Sequence, residues 1–208
     1  MKIICNVGEL KSISSSLSST TISLQNDKSI NSYISQNILA SITSSIDSLI
    51  ETRHHLFQSC LHTRNLFELL LIFKKVNSGE EHLKSWLGQI HKDLSELNNG
   101  FQTLFDSYGV DTKEIDKARD FDNKSLKDSG LSSKGSWPVG SLATEFGMKK
   151  EYDAIYRICS KLTHPSSLRV NYEREFINDN NYLELVHSLA LHLCERINDT
   201  VTEIYLLD

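Results

Sequence analysis

Residues that break helices are scarce in this sequence. It has two prolines and nine glycines among 208 residues, whereas an all-β chain of this length needs many more turn residues. The scarcity excludes a sandwich or barrel of short strands. It favours an all-α protein before any hydrophobic pattern is considered.

Long apolar runs are also missing. Nowhere does the sequence contain the roughly 18 uninterrupted apolar residues of a membrane-spanning helix, and the apolar run at the N-terminus is too short for a signal peptide. We therefore predict no membrane association and a cytoplasmic location.

Neither a strong charge bias nor a clustered set of cysteines is present. The formal net charge is −5, so no global field draws the chain onto nucleic acid, and any site for a polyanion must be local. Cys5, Cys60, Cys159 and Cys194 are widely separated, with no Cys-x-x-Cys pair. We interpret them as reduced, mostly buried thiols, and we predict no metal ligands and no cofactor.

Apolar residues at helical spacing define about five helices. The first covers roughly 30–51, the second ends near Lys75, and the third follows a Ser-x-x-Glu capping box at Ser78. The core face predicted for the third helix is Leu83, Trp86, Leu87, Ile90, Leu94, Leu97, Phe101, Leu104 and Tyr108. A fourth helix ends near His164, before Pro165, and Asn181 caps the last.

These helices predict an up-and-down bundle as a single domain over 29–208. The serine- and threonine-rich segment 1–28 has little helix preference, so we expect an irregular lead-in there. Residues 120–141 are polar and rich in turn formers, which predicts a long loop.

The fourth helix carries a stripe of polar residues. At about 100° per residue, Asp153, Arg157, Ser160 and His164 fall on one face, and Tyr156 borders it. One interpretation is a solvated face with an Asp153–Arg157 ion pair. The other is a phosphodiester site in which Arg157 binds phosphate, His164 transfers a proton, and Ser160 or Tyr156 positions the groups.

A wider motif surrounds this stripe. Arg64 and Glu68 lie four residues apart on the second helix. Far downstream comes the run Trp137-Pro138-x-Gly140-Ser141 … Gly147 … Tyr152-x3-Tyr156-x3-Ser160-x3-His164-Pro165. The motif resembles a mainly bacterial helical family of unknown function. Arg157 and His164 also resemble the signature of the HEPN superfamily (higher eukaryote and prokaryote nucleotide-binding), in which four to six residues separate an arginine and a histidine near the end of a late helix.

The resemblance implies a HEPN-like bundle and an RNA-directed effector. Its implied activity is that of a metal-independent endoribonuclease or toxin in bacterial defence, working as a homodimer through the face of Arg157 and His164, with an antitoxin or defence protein as partner. Arg64 and Glu68 would face the fourth helix as supporting residues. The same residues are also consistent with an ion pair that locks the bundle.

Two alternatives come from other classes of protein. The first is a non-catalytic binding or scaffold module, which predicts a large exposed apolar patch. The second is a di-iron four-helix bundle, because Glu51-x-x-His54 and Glu184-x-x-His187 both have the required spacing. The di-iron hypothesis requires these four side chains to converge.

Overall fold

The computed structural model describes residues 6–132, 134–178 and 180–206, and within these the chain is all-α, without strands, as predicted. The helices are α1 Val7–Leu24, α2 Ile30–Glu51, α3 Leu56–Val76, α4 Glu80–Ser107, α5 Lys113–Ser129, α6 Val139–Glu145, α7, α8 Ser167–Asn178 and α9 Asn180–Tyr205. Helix α7 has three consecutive segments, Lys149–Glu151, the π-helical Tyr152–Tyr156 and Arg157–Thr163. No helix in the described parts is long and apolar enough to cross a membrane.

The helices form two compact units. The first comprises the described parts of Met1–Lys74 and Val139–Asp208, and the second is Lys75–Pro138. The first unit is therefore built from two stretches of chain separated by the whole of the second.

The N-terminal segment is a helix, so the expectation of an irregular lead-in over 1–28 was wrong for the residues described. Helix α1 packs on α2 and α9 and buries Leu10, Ile13 and Leu17. Its hydroxyl-rich face bonds back to its own backbone, for example from Thr21 Oγ1 to the Leu17 carbonyl at 2.8 Å. Burial of the apolar residues outweighs the low helix propensity of serine and threonine.

Helices α2, α3 and α9 supply most of the core of the first unit. Helix α2 has the predicted bounds and buries a broad apolar face. Cys60, Cys159 and Cys194 are buried, as predicted, whereas Cys5 lies outside the described residues. The Cys60 thiol is hydrogen-bonded with Cys159 and buried, and both effects raise its pKa far above the ordinary value. This thiol therefore stays protonated.

The second unit is a helical hairpin of α4 and α5. Helix α5 runs through Ser129 and ends at Gly130, whose φ of +67° favours glycine. The loop expected at 120–141 is therefore shorter than predicted and begins only after α5. No apolar pattern marked this helix in the sequence, because α5 buries none of its side chains fully.

The apolar face of α4 is not a core, which contradicts the prediction. Of its nine residues only Leu83 is buried, and Leu97 is 57% exposed. Helix α5 packs instead on a neighbouring polar stripe, where His91 Nδ1 lies 2.7 Å from Asp122 Oδ1 and Arg119 donates to Asn99.

Candidate functional site

Four polar side chains meet where α3 and α7 lie side by side in the first unit. Arg64 and Glu68 come from α3, Tyr156 from the π-helical segment of α7, and His164 from the residue that caps α7. We call these four residues the arginine cluster. The sequence predicted all four as site residues but did not predict their mutual contacts.

Arg64 is the centre of the arginine cluster. Its Nη1 lies 3.2 Å from His164 Nε2, its Nη2 donates to the Tyr156 hydroxyl at 3.1 Å, and its Nε donates to Glu68 Oε1 at 3.1 Å. The hydrogen bond with Tyr156 and the charge of Glu68 outweigh the burial of Arg64 and hold its pKa above the ordinary value. The guanidinium group is thus a fixed cation.

The Tyr156 hydroxyl links the positive charge of Arg64 to the negative charge of Glu68. Its hydroxyl donates to Glu68 Oε1 at 2.7 Å while accepting from Arg64. Burial, together with this bond to the carboxylate, raises the pKa of Tyr156 above the ordinary tyrosine value. The phenol therefore stays protonated at neutral pH and acts as a donor. It cannot serve as a base.

Aromatic packing fixes the orientation of Tyr156. Its ring stacks on Tyr152 at a centroid distance of 5.0 Å and tilts against Phe67 at 6.0 Å. Tyr152 in turn fills the space beside Gly140, where an added Cβ would come within 3.2 Å of the ring. Gly140, Tyr152 and Tyr156 of the sequence motif are thus parts of one packed unit that holds the hydroxyl against Arg64.

His164 is exposed at the end of α7. Its backbone is extended (φ −90°, ψ 155°), which ends the helix before Pro165, as the sequence predicted. Arginine has no acceptor atom, so in the contact with Arg64 the Nε2 atom accepts and the ring proton sits on Nδ1. Arg64 therefore selects a tautomer whose Nε2 lone pair faces a cation.

Arg157 and Asp153 form a separate pair further along α7. Arg157 Nη2 lies 3.0 Å from Asp153 Oδ1, and the guanidinium lies 5.7 Å from the centre of the Tyr152 ring. The hydrogen bond from Lys149, assisted by the charge of Arg157, lowers the pKa of Asp153. Both Arg157 and Asp153 are exposed, so this pair matches the solvated-face interpretation of the stripe.

The predicted partnership of Arg157 with His164 is absent from the hydrogen bonds of the described residues. They lie seven positions apart, which is about 10 Å along a helix axis. The arginine that reaches His164 is Arg64, from another helix. Helical spacing alone could not reveal this contact, because it spans 100 residues of sequence.

Ser160 lies one turn before His164, and its backbone carbonyl accepts from the His164 N–H at 3.2 Å. Its side-chain hydroxyl is buried and finds no hydrogen-bond partner among the residues that the structure describes. A buried hydroxyl without a partner costs about 1–3 kcal/mol. The predicted positioning role of Ser160 therefore remains a prediction, since the hydroxyl contacts none of the arginine cluster.

Sequence reasoning missed Arg169. Its Nη1 donates to the Thr163 carbonyl at 2.9 Å, next to His164, and its guanidinium stacks over the Phe57 ring at 4.3 Å. The contact caps an unpaired carbonyl at the end of α7 and ties that end to α3. A basic residue shortly after a helix end was the available signal.

The residues of the di-iron alternative do not assemble a site. Among the described residues no three His, Cys, Asp or Glu side chains are arranged so that they could hold a metal ion. His187 is buried, and its Nε2 lies 3.2 Å from the Ser59 hydroxyl. The convergence of Glu51, His54, Glu184 and His187 that this hypothesis required is not found.

No protein-family model, curated protein or solved structure matches this chain. The HEPN-like resemblance accordingly remains a prediction, and the function has to be argued from the geometry of the arginine cluster.

Proposed function

We propose that the protein is a HEPN-like, RNA-directed effector that cleaves RNA without a metal ion, with Arg64 and His164 at its centre. The observation that supports this most is the contact between the Arg64 guanidinium and an exposed imidazole at 3.2 Å. A cation and a proton-transfer group side by side at the surface are what a phosphodiester cleavage site requires.

Arg64 binds the phosphate in this proposal. A phosphodiester is a charged acceptor, and it competes for the guanidinium more strongly than a neutral imidazole does. Substrate binding would therefore draw Nη1 from His164 to the phosphate and release the Nε2 lone pair. Glu68 and Tyr156 keep the guanidinium in place during the exchange, because their bonds use its other nitrogens.

The released Nε2 then acts as the general base. It takes the proton of the ribose 2′-hydroxyl, whose oxygen bonds to phosphorus while the bond from phosphorus to the 5′-oxygen breaks. The imidazolium returns that proton to the departing 5′-oxygen. The products are a 2′,3′-cyclic phosphate and a free 5′-hydroxyl, and atoms and charge balance without a metal ion.

Arg157 has a secondary role in this scheme. Arg157 lies on α7, is 62% exposed and pairs with the exposed carboxylate of Asp153, so it is available to a neighbouring phosphate of the strand. Removing Arg157 should weaken RNA binding, whereas removing Arg64 should also slow the chemical step. As the resemblance implies, we propose a toxin or defence effector with an antitoxin-like partner.

The test is RNA cleavage in the presence of EDTA with the product ends mapped. We expect His164→Ala and Arg64→Ala to lower cleavage by about 10²–10⁴-fold, and Arg157→Ala to lower it about tenfold at low RNA concentration. His192→Ala and Arg174→Ala change exposed residues outside the cluster and serve as matched controls. Cleavage that persists in His164→Ala, or a folded parent protein that cleaves no RNA, would overturn the proposal.

A non-catalytic binding module is the second candidate, because the apolar face of α4 is exposed. In that case the arginine cluster only joins α3 to α7. Tyr156→Phe separates the two candidates. It should lower the free energy of unfolding by about 1 kcal/mol in either case, but it should slow RNA cleavage only if the cluster orients Arg64 for chemistry.

A further inference from the structure

A strict heptad pattern runs along α4. Its apolar residues alternate at spacings of four and three over nearly four heptads, at Leu83, Leu87, Ile90, Leu94, Leu97, Phe101, Leu104 and Tyr108. We call these eight residues the α4 seam. A repeat of 3.5 residues keeps a narrow apolar line facing one partner helix, and it is the periodicity of a left-handed coiled coil.

Most of the α4 seam is uncovered. The six residues from Ile90 onward are between 41% and 74% exposed. Helix α5 does not cover them, since it binds the adjacent stripe through His91, Asn99 and Gln102. The hairpin therefore presents six of the eight seam residues on the side of α4 that α5 leaves open.

The exposed area of the α4 seam is large enough for a small dimer interface. Large apolar side chains expose on the order of 200 Å² each when fully solvated, so six of them at about half exposure offer roughly 600 Å² per copy. Flanking residues add to this. Two copies would bury about 1,200 Å² or more, which is the lower end of the range for specific interfaces.

The residues beside the seam favour a second copy of this chain. In coiled coils the flanking positions usually carry charges that select the partner. Here these positions are Lys84, Trp86, Asp93, Asn98, Gly100, Phe105 and Ser107, together with His91, which already contacts Asp122 of α5. Only Lys84 and Asp93 are fully charged. With the two seams fully overlapped, neither a parallel nor an antiparallel pair brings like charges opposite each other.

We propose that the α4 seam is a homodimer interface, in which the α4 helices of two copies pair as a coiled coil. This interface is distinct from the face of Arg157 and His164, and it does not depend on RNA cleavage. An isologous contact of this kind needs only one self-complementary surface. The partner is thus identified as a second copy of the same helix.

Sedimentation analysis of the full chain tests the proposal. We expect the parent protein to sediment with twice its 23.6 kDa mass at micromolar concentrations. Leu97→Lys should raise the dimer dissociation constant by about 100-fold or more, because each copy brings an unpaired cation into the seam. Thr103→Lys places the same side chain on α4 away from the seam and should sediment like the parent.

Two results would overturn the interface. One is a parent protein that stays monomeric across the concentration range, and the other is a Leu97→Lys dimer as tight as that of the parent. Because Leu97 is exposed in the single chain, its substitution leaves folding intact, and far-UV circular dichroism of the variant should match that of the parent.

Discussion

Helices α2 and α4 both carry a stripe of apolar residues, but the α2 stripe is buried and most of the α4 stripe is exposed. In α2 the residues Ile38, Leu39, Ile42, Ile46 and Leu49 are at most 4% exposed, whereas Leu97 at the middle of the α4 seam is 57% exposed. The α2 residues form a broad face that several helices can cover. The α4 residues form a single narrow line suited to one helix. The width of the apolar stripe thus separates the core helix α2 from α4, whose apolar residues stay exposed in the single chain.

The largest expected difference between α2 and α4 is in how much a leucine-to-alanine substitution lowers the free energy of unfolding. Leu39→Ala removes a fully buried side chain and should lower the free energy of unfolding by about 2–5 kcal/mol. Leu97→Ala should change it by less than about 0.5 kcal/mol in the dilute, monomeric protein. Urea unfolding followed by circular dichroism measures both. Equal losses would show that the α4 seam is covered within one chain.

Two glycines of α4 in the second unit have opposite surroundings, so alanine substitutions there should have opposite effects on stability. A Cβ at Gly88 would overlap the Ser132 carbonyl, whereas Gly100 has open space around it. Gly88→Ala should destabilise the hairpin by about 1–3 kcal/mol, and Gly100→Ala should stabilise it by about 0.5–1 kcal/mol.

Tryptophan fluorescence is the appropriate measurement for this pair. Both tryptophans of the chain, Trp86 and Trp137, lie in the second unit and stack at 5.7 Å. Their emission therefore follows the hairpin, while circular dichroism follows every helix. A stabilising effect of Gly88→Ala would contradict the close approach of α4 to Ser132.

The smallest expected effect is the pH dependence of the free energy of unfolding, to which the buried His187 of the first unit contributes. Burial, with repulsion from His54 and Arg53, lowers the pKa of His187 below the ordinary value. Below about pH 6.5 the unfolded chain gains a proton that the folded chain resists. The free energy of unfolding should therefore fall as the pH drops and level off once the pKa of folded His187 is passed.

The measurement is urea unfolding between about pH 7.5 and pH 5.5. His187→Gln should flatten the dependence. His62, whose pKa burial also lowers, contributes with the same sign, so some slope should remain in the variant. A slope unchanged by His187→Gln would show that His187 has the same pKa in the folded and the unfolded chain.

The sequence predicted the helices that have strong apolar stripes and failed where other interactions decide. The bounds of α2 and the end of α7 at His164 follow from apolar spacing and from Pro165. Helix α1 was missed because its propensity is poor and only its packing on α2 and α9 makes it helical. Helix α5 was missed because it has little apolar surface to signal its presence.

In the candidate site, too, the sequence indicated some features and missed others. Local motifs singled out Arg64, Glu68, Tyr156 and His164 as candidates, because residues four apart share a helix face, and the structure brings these four side chains together. The pairing of Arg64 with His164 depends on how α3 lies against α7, which no spacing within either helix encodes. The sequence therefore selected the residues, while the contacts among them required the fold.

The divided first unit has a consequence for synthesis of the protein. Helix α3 is synthesised about 130 residues before α9 is complete, and at about 5–20 residues per second this interval lasts roughly 6 to 26 seconds. During that time Phe67 and Phe73, fully buried in the finished protein, still await the helices that arrive last. The hairpin of α4 and α5 is complete before the second stretch of the first unit is made. The N-terminal helices of the first unit therefore stay partly uncovered until translation is nearly finished.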